Sequence, residues 1–142
     1  LASDMLLDEG LDNVFARHTR IAVGVRAAAA AWNMPLCATS ADVYSDTVTA
    51  IRTPEGFNAT DIVTHAANTY GVAFGVGLGE VAGKVFRIGH LGSLTDVMML
   101  SGLATAEMCM VDLGLDIELG SGVAAAQEYY RSNPAVAIKA AA

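Results

Sequence analysis

Apolar residues recur at three- and four-residue steps through the first part of the chain. Between residues 11 and 32 this rhythm marks one face of a helix. The positions on that face are Leu11, Val14, Phe15, His18, Ile21, Ala22, Val25, Ala28, Ala29 and Trp32. Gly10 breaks the rhythm and predicts a bend between two helices. Because the rhythm starts at Leu1 without a capping residue, we expect the chain to begin part-way through a helix.

Short runs typical of strands follow Pro35, which ends the helix. The run MPLCAT (34–39) is predicted to be short and extended, and DTVTAIRTP (46–54) is predicted to be a strand. Alternation in the second run places Val48, Ala50 and Arg52 on one face, opposite Thr47, Thr49 and Ile51. The runs VAFGVG and KVFRIG predict two neighbouring strands joined by a glycine-rich bend.

Three further helices complete the pattern. The first is predicted to start at the capping residue Asn58 and to stop at Gly71. A long apolar helix is predicted over 95–114, and a shorter one over 121–134. This order predicts an α+β fold, in which a short sheet carries helices mainly on one face.

Composition restricts the possible functions. The net charge of −7 and the pI of about 4.7 argue against nucleic acid as a partner. Although 54% of the residues are hydrophobic, charged residues interrupt every long apolar run, which argues against a membrane partner. Without a signal-peptide pattern, the sequence favours a cytoplasmic domain. Cys37 and Cys109 lack metal or redox spacing and are interpreted as buried free thiols.

Several possible sites have simpler explanations. No cysteine or carboxylate accompanies His18, His65 or His90 at ligand spacing, so no metal site is predicted. The glycine-rich loop precedes a strand, whereas a dinucleotide fingerprint precedes a helix, so we favour a turn with positive φ over a phosphate site. Its glycines are Gly75, Gly77, Gly79 and Gly83. Neither Lys84, beside this loop, nor Lys139, in the tail, has the surroundings of an activated amine.

Arg87 is the strongest candidate for a binding residue. It stands in an apolar strand between Phe86 and Ile88, which alternation places on the opposite face. A guanidinium in that position matches a carboxylate through two parallel hydrogen bonds. From the pattern alone, a structural salt bridge and a ligand carboxylate remain equal alternatives.

The stretch GLGEVAGKVFRIGHLG (77–92) resembles the glycine loop and Arg-Ile-Gly strand of class V aminotransferases. His90 after Gly89 is closer to the serine- and aspartate-glyoxylate branch, and the resemblance extends from about Met5 to Arg131. It implies that Arg87 holds the α-carboxylate of an amino-acid substrate. It also implies the fold of the small C-terminal domain of a fold-type-I enzyme that uses pyridoxal phosphate.

The same resemblance implies a division of the chain and of the reaction. Residues 1–32 correspond to the end of a linking helix and the first helix of the small domain, 33–133 to the small domain, and 134–142 to a loose tail. The full-length enzyme is expected to be a homodimer that moves an amino group from serine or aspartate to glyoxylate, giving glycine.

No segment resembles the Schiff-base lysine, so pyridoxal 5'-phosphate is expected to bind a preceding large domain. The chain itself is expected to contribute no catalytic or cofactor-binding residue and to be inactive alone. The alternative is a free-standing, non-catalytic α+β module that binds a small carboxylate at Arg87.

Overall fold

A computed structural model describes residues 2–135 of the chain. Its helices and strands are α1 (Ala2–Glu9), α2 (Leu11–Ala31), β1 (Val48–Arg52), α3 (Ala59–His65), β2 (Gly75–Val76), β3 (Val85–Gly89), α4 (Asp96–Asp112) and α5 (Ser121–Ser132). Helices α2 and α3 pack on the short sheet, and α4 and α5 complete the helical layer. The predicted α+β class is confirmed.

Local side-chain bonds explain where the central helices begin and end. The side chain of Asn58 accepts a hydrogen bond from the backbone N–H of Thr60 at 3.1 Å, as expected for an N-cap. After α3, one π-helical turn (Ala66–Tyr70) leads to Gly71, whose φ of 68° lies in the left-handed region. The predicted cap and stop of this helix are therefore confirmed.

The join between α1 and α2 is the predicted bend at Gly10, which has a φ of 84°. The predicted apolar face of α2 is wrong at its first turns, because Leu11 is 48% exposed and Phe15 is 62% exposed. The rhythm continues past the end of the core, where no described residue covers those side chains. Helix α1 also has no buried residue.

The sheet has the order β1-β3-β2, and both pairs are antiparallel. The run 34–39, predicted to be short and extended, pairs with β1 through a single bridge, Leu36 to Ile51, and does not form a full strand of the sheet. The backbone N–H of Met34 still bonds to the end of α2, and Pro35 has no N–H to donate. Only the bonds from Cys37 N to Ala50 O and from Arg52 N to Pro35 O then attach this segment to β1.

The core lies between the sheet and the helices. Ile51 and Phe86 on the sheet are fully buried against apolar side chains of the helices. Helix α5 packs along α2, where the hydroxyl of Tyr130 donates to the carbonyl of Ile21 at 2.9 Å.

Helix α2 shares this core with α5, and the division of the chain into 1–32, 33–133 and 134–142 stays a prediction. Most of the predicted loose tail, residues 136–142, lies outside the described residues. Within residues 2–135, no helix is long and apolar enough to cross a membrane.

Candidate functional site

Arg87 occupies the middle of the central strand. Its cross-strand neighbours are Ala50 on β1 and Gly75 on β2, both of them small. Residues paired directly across antiparallel strands share a face of the sheet. The arginine therefore lies on the face opposite Phe86 and Ile88, as the alternation predicted, and its neighbours leave space around its long side chain. We call this side of the sheet the open face.

The side chain of Arg87 leans over β2. Its Nε donates a hydrogen bond to the carbonyl oxygen of Val76 at 2.9 Å. A Cβ atom added to Gly75 would lie 3.0 Å from that Nε, so the glycine permits this close approach. The bond fixes the orientation of the guanidinium and uses only one of its five N–H donors.

No carboxylate of residues 2–135 forms an ion pair with Arg87. The alternative of a structural salt bridge, which the sequence left open, is therefore absent from the part of the chain that the structure describes. A half-buried guanidinium in this state is chemically suited to a carboxylate that comes from outside the described residues.

The glycine-rich loop before β3 is a tight turn. Gly79 and Gly83 have positive φ values of 54° and 70°, and a short 3-10 turn, Gly79–Val81, lies between β2 and β3. At Gly77, an added Cβ would lie 2.1 Å from the carbonyl oxygen of Val81. The loop returns the chain into β3 without a following helix, in agreement with the favoured interpretation as a turn.

Arg52 is a second arginine on the open face, and the sequence reasoning did not select it. The alternation in VTAIR already placed Arg52 on one face with Ala50. The structure shows its Nη2 at 3.8 Å from the sulfur of Cys37.

The two cysteines differ in burial. Cys37 is only half-buried, which corrects the prediction of a buried thiol, whereas Cys109 is fully buried. Burial raises the pKa of Cys109 to about 11.

A buried histidine joins the end of β3 to the segment before β1. The carbonyl of Asp46 can only accept, so the Nδ1 of His90 donates to it at 3.0 Å. In the neutral ring, Nε2 then accepts from the hydroxyl of Thr49 at 2.8 Å. Burial lowers the pKa of His90. Both ring nitrogens are thus engaged in holding β1 beside β3, three residues from Arg87.

The other two histidines lie apart from this site. His18 is buried on α2, with Nδ1 bonded to the carbonyl of Val14 and Nε2 accepting from the N–H of Gly92. His65 contacts the carboxylate of Asp112 on the surface at 2.8 Å. The hydrogen bond from Tyr70 lowers the pKa of Asp112 most, and the hydrogen bond from His65 lowers it further.

Among residues 2–135, no group of three or more His, Cys, Asp or Glu side chains could hold a metal ion.

The comparisons with known proteins identify aminotransferases as relatives of this chain. The chain is 68% identical over 139 residues to the L-aspartate–glyoxylate aminotransferase of Paracoccus denitrificans, covering 98% of this chain and 35% of the relative. It is 55% identical over 130 residues to the serine–glyoxylate aminotransferase of Hyphomicrobium methylovorum, covering 92% of this chain and 32% of the relative. The chain belongs to the class V aminotransferase family. It spans about a third of the length of the curated relatives that it matches.

Solved structures of the family show the same fold. The pyridoxamine–pyruvate aminotransferase of Mesorhizobium loti superposes with a TM-score of 0.85 at 34% identity, covering 92% of this chain and 33% of that chain. The ureidoglycine–glyoxylate aminotransferase of Bacillus subtilis gives a TM-score of 0.84 at 26% identity, covering 90% of this chain and 33% of that chain. No family model matches the chain. The resemblance inferred from residues 77–92 is confirmed.

Proposed function

We propose that this chain is the C-terminal part of a glyoxylate aminotransferase and holds the carboxylate of its substrate. The reaction moves an amino group from serine or aspartate to glyoxylate, which leaves as glycine. The observation that carries the proposal is Arg87, which is centred on the open face, oriented through its Nε and without a carboxylate partner in residues 2–135.

The described residues do not fit a pyridoxal phosphate site. Lys84 is exposed beside the glycine loop, whereas an activated lysine is desolvated in an apolar pocket. Lys139 lies outside the described residues. The proposal therefore places the cofactor and its lysine on other parts of the full-length protein and gives this chain the task of orienting the substrate.

Orientation by Arg87 follows from the shape of its guanidinium. Two parallel N–H groups bind the two oxygens of a carboxylate and fix the direction of the substrate as well as its position. Fixing that direction aligns the bond at Cα that must react, which is how positioning groups accelerate a reaction. Arg87 performs no proton transfer in this role, because arginine keeps its protons at all ordinary pH values.

The test uses the full-length protein with glyoxylate and each amino donor. Arg87→Gln removes the charge and should lower kcat/KM about 30-fold or more with both serine and aspartate, the cost of removing one member of a desolvated charge pair. Arg87→Lys keeps the charge without the paired N–H groups and should recover only part of the activity. The matched control is Arg131→Gln, because Arg131 is 75% exposed and pairs with Glu128 on the surface.

A kcat/KM for Arg87→Gln within threefold of wild type for both donors would refute the proposal. The cofactor absorbance of each variant should match that of wild type, because Arg87 is not assigned to the cofactor. Sedimentation of the full-length protein tests the homodimer that the family resemblance implies. Cytoplasmic location remains a prediction from the sequence.

A further inference from the structure

The arginines of this chain differ in whether they form an ion pair with a carboxylate. All six arginines lie within residues 2–135. Four of them form ion pairs with carboxylates, namely Arg17 with Glu9, Arg20 with Asp96, Arg26 with Asp46 and Arg131 with Glu128. The two without such a partner among the described residues are Arg52 and Arg87, and both lie on the open face. The two arginines without an ion pair among the described residues therefore lie on the same side of the sheet.

Among the described residues, the guanidinium of Arg52 contacts only a weak hydrogen-bond acceptor. Arg52 is half-buried, and the contact of its guanidinium in the structure is with the sulfur of Cys37 at 3.8 Å. A thiol sulfur is a weak acceptor, so the guanidinium keeps N–H donors that could bind a stronger one. An anion from outside the described residues would supply such an acceptor.

The strand register places the two arginines as diagonal neighbours. Ala50 pairs with Arg87, and Arg52 pairs with Val85, one step of the same face further along β1. Diagonal neighbours of this kind stand about 7–8 Å apart, within reach of long side chains. Arg87 leans toward β2 and Arg52 toward Cys37, so both guanidinium groups lean away from the small side chain of Ala50 and leave the space above it open.

A cleft continues from this space along β1. It has a volume of about 320 Å³, and its lining includes Arg26, Cys37 and Ala50 but neither Arg52 nor Arg87. The strand register, rather than the cleft, relates Ala50 to the arginines: Arg87 lies opposite it on β3, and Arg52 lies two residues further along β1. Because each guanidinium binds one carboxylate, a ligand with two carboxylates satisfies both.

We propose that Arg52 binds the distal carboxylate of a dicarboxylic amino acid whose α-carboxylate is held by Arg87. The inference rests on the proposed function, since it assigns a second residue to the same site. Arg52 then determines specificity: it favours a dicarboxylic donor such as aspartate over a neutral donor such as serine.

The test compares two donors in the full-length protein. Arg52→Gln should lower kcat/KM for L-aspartate about 30-fold or more, and should change kcat/KM for L-serine by less than about threefold. Arg52→Lys retains the charge and most of the side chain, and it should move the aspartate-to-serine ratio in the same direction by less. Arg131→Gln serves as the control for loss of an arginine elsewhere and should leave the ratio unchanged.

Inhibition provides a second measurement, with ligands that carry no amino group and are not substrates themselves. Succinate and butyrate have the same number of carbons, but only succinate carries two carboxylates. Succinate should inhibit the wild-type protein more strongly than butyrate, and Arg52→Gln should weaken inhibition by succinate about 30-fold while leaving inhibition by butyrate unchanged.

Three results would overturn the inference. Equal losses with both donors in Arg52→Gln would assign the arginine to structure, and unchanged values with both would place it outside the site. Equal inhibition of the wild type by succinate and butyrate would exclude the second carboxylate site. Failure of the proposed function is recognised separately, because Arg87→Gln would then leave serine turnover unchanged whatever Arg52→Gln does.

Discussion

Replacing Glu107 should show how strongly one buried carboxylate stabilises the helical layer. Glu107 lies on α4 and is 2% exposed. Its Oε1 accepts from the indole N–H of Trp32 at 2.8 Å, from the N–H of Gly122 at 2.7 Å and from that of Val123 at 3.2 Å. Its Oε2 accepts from the N–H of Gly120 at 2.7 Å. The carboxylate thereby caps α5, whose own N-cap residue offers no side chain.

The loss in the free energy of unfolding follows from the number of hydrogen-bond donors that lose their acceptor. Glu107→Ala leaves the indole N–H of Trp32 and three backbone N–H groups unsatisfied, and a buried unsatisfied donor costs about 1–3 kcal/mol. Partial relaxation and water entry reduce the sum, so we expect a loss of about 3–5 kcal/mol in the free energy of unfolding. Glu107→Gln can keep the three bonds of Oε1 but sets an N–H₂ group against the N–H of Gly120. Its loss should be about 1–3 kcal/mol.

Urea denaturation of the purified chain measures these losses. Trp32 is the single tryptophan of the 142 residues, so its fluorescence reports directly on the environment of Glu107. Glu55→Gln, at an exposed position, is the control and should stay within about 0.5 kcal/mol of wild type. A loss below about 1 kcal/mol for Glu107→Ala, or equal losses for Ala and Gln, would contradict the argument from unsatisfied donors.

Two further predictions concern packing and pH. Gly24→Ala should destabilise the chain by about 1–3 kcal/mol, because the new Cβ would lie 2.3 Å from the ring of Tyr130. Gly102→Ala, in a helix position with nothing within 4 Å, should instead stabilise it by up to about 1 kcal/mol. Equal effects in urea denaturation would refute this contrast. For pH, burial lowers the pKa of His90 from 6.5, so the unfolded chain binds the proton first and stability falls as the pH drops below 6.5. His90→Asn should remove up to about 1.4 kcal/mol per pH unit from that dependence, and an unchanged slope between pH 7 and 5 would contradict the assignment.

The elements that local chemistry determines were predictable from the sequence. The cap at Asn58, the stop at Gly71 and the bend at Gly10 each depend on residues within a few positions, and all three are confirmed. The same holds for the face of β3 that carries Arg87, because alternation along a strand depends only on the strand itself.

The errors arise where distant parts of the chain decide the outcome. Leu11 and Phe15 follow the helical rhythm, but the rhythm does not show how far the core extends along α2. The segment 34–39 has strand character, yet the bond of Met34 to the end of α2 and the missing N–H of Pro35 restrict it to one bridge. Arg52 was overlooked for a similar reason. Its significance lies in the absence of a carboxylate partner in the described residues, which only the packed chain reveals.

The distribution of hydrogen-bond and ion-pair partners differs between the two faces of the sheet, as the proposed binding role requires. On the helical side, buried polar groups such as Glu107 and His90 have their hydrogen bonds satisfied within the chain. On the open face, Arg52 and Arg87 have no carboxylate partner within residues 2–135. Both side chains are half-buried, and a partly desolvated guanidinium gains from a carboxylate that another molecule or another part of the protein supplies. Ile51 and Phe86 are buried on the helical side of β1 and β3, whereas Arg52 and Arg87 lie on the open face. We therefore expect substitution of Arg52 or Arg87 to change binding far more than the free energy of unfolding.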